Sequence, residues 1–113
     1  MDGYSEFQLI HDSAFYQKKV QEEITNVCAD VAELLISKNK KYGNSALEPR
    51  RIFSKASAIE QINVRIDDKL SRIANRQSDE DEDVEKDLIG YLILKRVCLN
   101  LKNKAEQEAK NAN

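Results

Sequence analysis

Between Ala14 and Lys41 the apolar residues Val20, Ile24, Val27, Val31, Leu34 and Leu35 recur at mostly three- and four-residue intervals. That period lays them along one stripe of an α-helix, whereas a half-buried strand alternates every second residue. Gln21, Glu22, Glu23, Asn26, Asp30 and Glu33 fall mostly off the stripe. The spacing predicts a long helix over 14–41. Ser13 is placed to cap its start, and Gly43 to stop it. Lys38, Lys40 and Lys41 sit in its last turn, where cations suit the helix dipole.

The same period returns twice. Ile59, Ile62, Ile66, Leu70 and Ile73 predict a second helix over about 54–76. Val84, Leu88, Ile89, Tyr91, Leu92, Ile93, Leu94, Val97, Cys98, Leu99 and Leu101 belong to a third over about 83–102, and from 88 to 94 that helix is apolar almost all round. A helix of that kind is buried on several sides. Gly90 within it costs about 1 kcal/mol against alanine, which points to close approach of another helix or a ligand. Three glycines and one proline in 113 residues are too few turn formers for a β-sandwich. The expectation is therefore a single all-α domain over 1–113, a bundle of three main helices completed by oligomerisation. Residues 1–12 carry Tyr4, Phe7, Leu9 and Ile10 without a clear period and read as an irregular N-terminal arm. Residues 103–113 read as a polar tail that frays.

Charge and cysteine content narrow the partners. A net charge of −2 gives no global field for duplex nucleic acid. Cys28 and Cys98 lie in apolar helical runs and read as buried thiols of a reducing compartment. With the single His11 they make no zinc set. No apolar run approaches the roughly 20 residues of a membrane span. Asp2 and Glu6 stand where a signal peptide is basic and then apolar. The location expected is the cytoplasm (the host cytoplasm for a phage-encoded chain), without membrane contact.

Chemistry is concentrated in Asn63–Arg72, which carries Asp67 and Asp68 with Arg65, Lys69 and Arg72 inside the second apolar stripe. At 100° per residue Asn63 and Asp67 flank one edge of the stripe and the three cations the other. Asp68 points away, to solvent, Arg72 or another subunit. Antiparallel pairing about a turn at Gln77–Ser78 would bring Asp87 opposite Asp67, with Asp83 a turn earlier. Carboxylates gathered between helices need a cation, and Mg²⁺ binding through Asp67, Asp83 and Asp87 is one solution. Ion pairing with the neighbouring arginines and lysine is the other. Ser78 or Asp79 is placed to cap the third helix, and Asp79 to Glu82 suit its first turn. Lys41, Tyr42 and Asn44 before Pro49, and Arg50 and Arg51 after it, supply cations, an aromatic ring and amides that a phosphate or base can use. The same loop also reads as a plain solvated connection. One histidine leaves no Ser-His-Asp or Cys-His set.

Lys41-Tyr42-Gly43-Asn44-Ser45, Pro49 with Arg51-Ile52-Phe53, Arg65 to Ile73 and Asp83 to Leu92, taken in order, resemble a nucleotide-modification-associated domain of phages and bacteria. The resemblance covers about half of the chain and implies a nucleotide context. More distantly the pattern is similar to MazG-like all-α nucleotide pyrophosphohydrolases, which hold a nucleoside triphosphate through Mg²⁺ on two acidic motifs. Asp83 and Asp87 stand for the second motif at a spacing of four. Glu22-Glu23-x-x-Asn26 lacks the third acid of the first. What the resemblances imply is a small nucleotide bound in a helical groove by Lys41, Tyr42, Asn44, Arg50, Arg51, Arg65, Lys69 and Arg72. Non-catalytic sequestration, for instance of an immune signalling nucleotide, stands ahead of Mg²⁺-dependent hydrolysis. A helical scaffold without ligand is the third possibility.

Overall fold

A computed structural model describes residues 13–48, 51–76 and 82–112. Three α-helices make up its secondary structure: α1 Ala14–Tyr42, α2 Ala58–Ala74 and α3 Val84–Asn111. The described residues contain no strand, so the protein is all-α as its periodicity requires. Packing groups the chain into two compact units, Met1–Leu34 and Leu35–Asn113, with the boundary inside α1.

In the first unit, Ser13 starts α1 by accepting a hydrogen bond from the Tyr16 backbone N–H at 3.1 Å. Val31 is its buried apolar residue, whereas Val20, Ile24 and Val27 of the same stripe remain exposed. Cys28, expected to be buried, is exposed as well.

The second unit opens on the end of α1. Gly43 has a φ of +69° and donates its N–H to the Asn39 carbonyl at 2.7 Å. This left-handed stop satisfies one of the last helical carbonyls and favours glycine there. Ser57 caps α2, which starts later than the expected 54: its hydroxyl accepts from the Glu60 N–H at 3.2 Å. Ser-Ala-Ile-Glu is the sequence pattern of a capping box, which moves the helix start to Ala58. Asp83 caps α3 by accepting from the Lys86 N–H at 2.9 Å. Ser78 and Asp79, the caps expected from sequence, lie outside the described residues. The far end of α3 differs too. Helix continues to Asn111 instead of fraying after Lys102. Residues 104–110 are alanine, lysine, glutamate and glutamine, all strong helix formers, with Glu106 and Lys110 in the favourable order four apart.

Helices α2 and α3 pack as an antiparallel pair. Arg65 meets Tyr91, Lys69 meets Asp87, and Arg72 meets Glu82, so each step up α2 is a step down α3. Ile62 at 2% exposure and Ile66 are the buried residues of α2, and Val84 and Gly90 those of α3. Burying a side chain such as Ile62 is worth about 1.5–3 kcal/mol. Gly90 faces Leu35: a Cβ built there would stand 3.3 Å from Leu35 Cδ2. The apolar girth of α3 is only partly covered, because Leu88, Tyr91 and Leu94 are half-buried and Ile89, Leu92 and Ile93 exposed.

Candidate functional site

The capped α2 aims Arg65, Lys69 and Arg72 from successive turns along one face, as spacings of four and three require. Together with Ser54, Gln61, Val64, Asp68 and Tyr91 they line a groove of about 620 Å³. Its floor is helix α2. Its walls are the segment before α2, where Gln61 Nε2 donates to the Ala56 carbonyl at 3.0 Å, and the Tyr91 ring of α3. The Arg65 guanidinium carbon lies 5.9 Å from that ring's centroid. This is the separation of a cation–π contact. Arg65 has no carboxylate partner among the described residues.

The other two cations are neutralised. Lys69 Nζ lies 2.8 Å from Glu82 Oε1 and 3.4 Å from Asp87 Oδ2. Arg72 Nη1 donates to both Glu82 oxygens, at 3.0 and 2.8 Å, and Arg72 Nε stands 3.2 Å from Asp68 Oδ2. Only 12% of the Lys69 side-chain surface remains exposed, so its pairs are less screened than surface ones. The hydrogen bond from Lys69 holds the Glu82 carboxyl below its ordinary range, helped by the Arg72 charge. The same bond, with that to Asp87, raises the Lys69 ammonium against the opposing effect of burial.

Of the binding residues expected from sequence, the groove gathers Arg65, Lys69 and Arg72. Lys41, Tyr42, Asn44 and Arg51 do not line it. The Lys41 ammonium lies 5.2 Å from the Tyr42 ring centroid, and Asn44 accepts a hydrogen bond from Asn39 Nδ2 at 2.9 Å to brace the end of α1. Arg50 lies outside the described residues. The three carboxylates considered for Mg²⁺ go to different places. Asp83 is a helix cap, Asp87 faces Lys69, and Asp67 is exposed with no side-chain partner among the described residues. Among the described residues no group of three His, Cys, Asp or Glu is placed to hold a metal ion. These acids therefore do not fit Mg²⁺ as a set, and no chemical step follows through it. Asp68, left between solvent, Arg72 and another subunit, pairs with Arg72.

Glu82 and Tyr91 are the residues that sequence reasoning passed over. In sequence Glu82 is one of several acids at a helix start, and Tyr91 is one of several residues in an apolar run. The antiparallel register was the available signal, because it sets Glu82 opposite Arg72 and Tyr91 opposite Arg65. Comparison with family models, curated proteins and solved structures gives no match. Among the described residues, no helix is long and apolar enough to cross a membrane.

Proposed function

We propose that the protein binds a small nucleotide in this groove and holds it without converting it. The carrying observation is the row Arg65, Lys69 and Arg72 beside the Tyr91 ring. Arginine and lysine donate to phosphate oxygens, and an aromatic face accepts a stacked base. Gln61 and Ser54 add polar groups that can read a base edge or a ribose. The resemblance to a phage and bacterial nucleotide family supports the same class. It extends the proposal to sequestration of an immune signalling nucleotide in the host cytoplasm. Calorimetry against cyclic nucleotides, ADP-ribose derivatives and nucleoside triphosphates tests the reading. Silence across the panel at micromolar protein would reject it.

A second reading has its own observation. Glu82, Asp68 and Asp87 already compensate Lys69 and Arg72, which suits an ion network that fixes α2 against α3 in a ligand-free scaffold. Under that reading Arg65→Ala and Tyr91→Ala change stability alone.

In either case we propose a homo-oligomer. Val20, Ile24, Val27, Val31 and Leu34 alternate steps of four and three, the spacing of a coiled-coil seam, and Ile24 is 57% exposed. A second copy carries the same seam and the same uncovered face of α3. Sedimentation at micromolar concentration tests this, and a strict monomer contradicts it.

A further inference from the structure

Lys69 and Arg72 both line the groove, and both also grip one carboxylate of their own chain. Glu82 presents one oxygen to Lys69 Nζ at 2.8 Å and both oxygens to Arg72 Nη1 at 3.0 and 2.8 Å. A lysine and an arginine converging on one oxyanion is what these side chains offer to a phosphoryl group. We propose that Lys69 and Arg72 are the oxyanion subsite of the groove, taking a phosphate or pyrophosphate of the ligand, and that Glu82 is an internal competitor for them. This rests on the nucleotide reading for the remainder of the ligand.

Charge around the subsite supports competition over assistance. Helix α2 contributes Arg65, Lys69, Arg72 and Asp68, α3 contributes Asp87, and the residue before its cap contributes Glu82. Among the described residues three cations thus meet three carboxylates, and their formal charges cancel. A ligand phosphate entering it meets the Glu82 charge at close range, which opposes binding strongly in a half-buried setting. Among the described residues Glu82 also takes both hydrogen bonds of Arg72 Nη1 and one from Lys69. If its carboxylate turns aside or is neutralised, those donors pass to the incoming oxygens. The groove is then an anion site kept shut by a side chain of its own chain, and it opens to ligands that repay the lost pairs.

Glu82→Gln tests this, because it keeps the side chain's size and removes its charge. Inorganic pyrophosphate and the nucleotide panel are titrated calorimetrically into the wild type, Glu82→Gln, and Glu82→Gln with Arg72→Gln. Glu82→Gln is expected to bind pyrophosphate about tenfold more tightly than the wild type, and the added Arg72→Gln to abolish the gain. Unchanged or weaker pyrophosphate binding in Glu82→Gln overturns the proposal. If the wild type binds a nucleotide and Glu82→Gln leaves that affinity unchanged, the subsite is wrong and the nucleotide reading stands. If Glu82→Gln gains pyrophosphate while no nucleotide binds either protein, the subsite stands and the nucleotide reading falls. Circular dichroism reports whether Glu82→Gln keeps its helices. Should it not, Arg72→Gln in the wild type decides: nucleotide affinity falls about tenfold or more if the subsite is real, and stays unchanged if it is not.

Discussion

Glu82 and Arg72 are ten residues apart in the chain and joined by a 2.8 Å ion pair. With Lys69 in the same cluster, the pair ties the start of α3 to the end of α2. Its pH dependence has a definite sign. The Glu82 carboxyl is lowered in the folded protein, chiefly by the Lys69 hydrogen bond. Its stabilisation is therefore present above the unfolded glutamate value of about 4.3. It is lost as pH falls through the lower folded value. Lys69 is raised, first by the bond to Glu82. Its contribution is present below the unfolded lysine value of about 10.4 and disappears as pH climbs past the folded one. Thermal melts of the wild type and Glu82→Gln should differ between those limits and converge in strong acid. A gap that persists in strong acid would show that Glu82 acts by packing rather than charge.

Ile62 is the most deeply buried side chain of the α2–α3 seam. Ile62→Ala is expected to destabilise the protein by about 2–4 kcal/mol through lost burial and the cavity left behind. Val64, two residues on and 65% exposed, is its control. Val64→Ala should stay within about 0.5 kcal/mol in the same urea titration. Equal losses would mean that the seam is misplaced.

The N-caps of α2 and α3 separate local structure from ligand chemistry. Ser57→Ala and Asp83→Ala should each cost about 1 kcal/mol. Asp83→Asn should cost far less, because asparagine caps as well as aspartate. Melting temperatures rank the three variants. A large loss in Asp83→Asn would show that the charge of Asp83, and not its capping oxygen, matters.

Gly90 sets helix propensity against space. Alanine there gains about 1 kcal/mol of propensity. Its Cβ would meet Leu35 Cδ2 at 3.3 Å, the movable end of a half-buried side chain. Gly90→Ala is therefore expected to leave stability unchanged or raise it by under about 1 kcal/mol. Gly90→Leu should cost about 1–3 kcal/mol by overpacking. A large loss already in Gly90→Ala would show that α1 cannot yield at this point.

The helices were legible because their apolar stripes keep one period throughout, and Gly43 and Ser13 mark α1 as a glycine stop and a serine cap should. Helix ends were less so. Ser54 and Ser57 are the same residue type three apart, and only Glu60, placed to complete a capping box after Ser57, distinguishes them. The polar tail has no apolar stripe to signal its helix, yet lysine, glutamate and alanine form helix without burial. The basic row Arg65, Lys69 and Arg72 could be read directly from spacing within one helix. Its partners could not. Five acids run from Asp79 to Asp83, and which of them reaches back depends on the turn that precedes α3. Lys41, Tyr42 and Asn44 were grouped with the row by residue type, but they serve the end of α1.

The central claim is that the groove lined by Arg65 and Tyr91 receives a nucleotide. Its most direct test is calorimetric titration of the wild type, Arg65→Ala and Tyr91→Ala with the nucleotide panel, folding being checked by circular dichroism. The expected result is saturable binding of at least one nucleotide by the wild type. Both variants should bind it at least about tenfold more weakly, for a lost charge-assisted contact and a lost stacking face, while remaining folded. Binding that survives both substitutions unchanged, or no binding by the wild type, would contradict it.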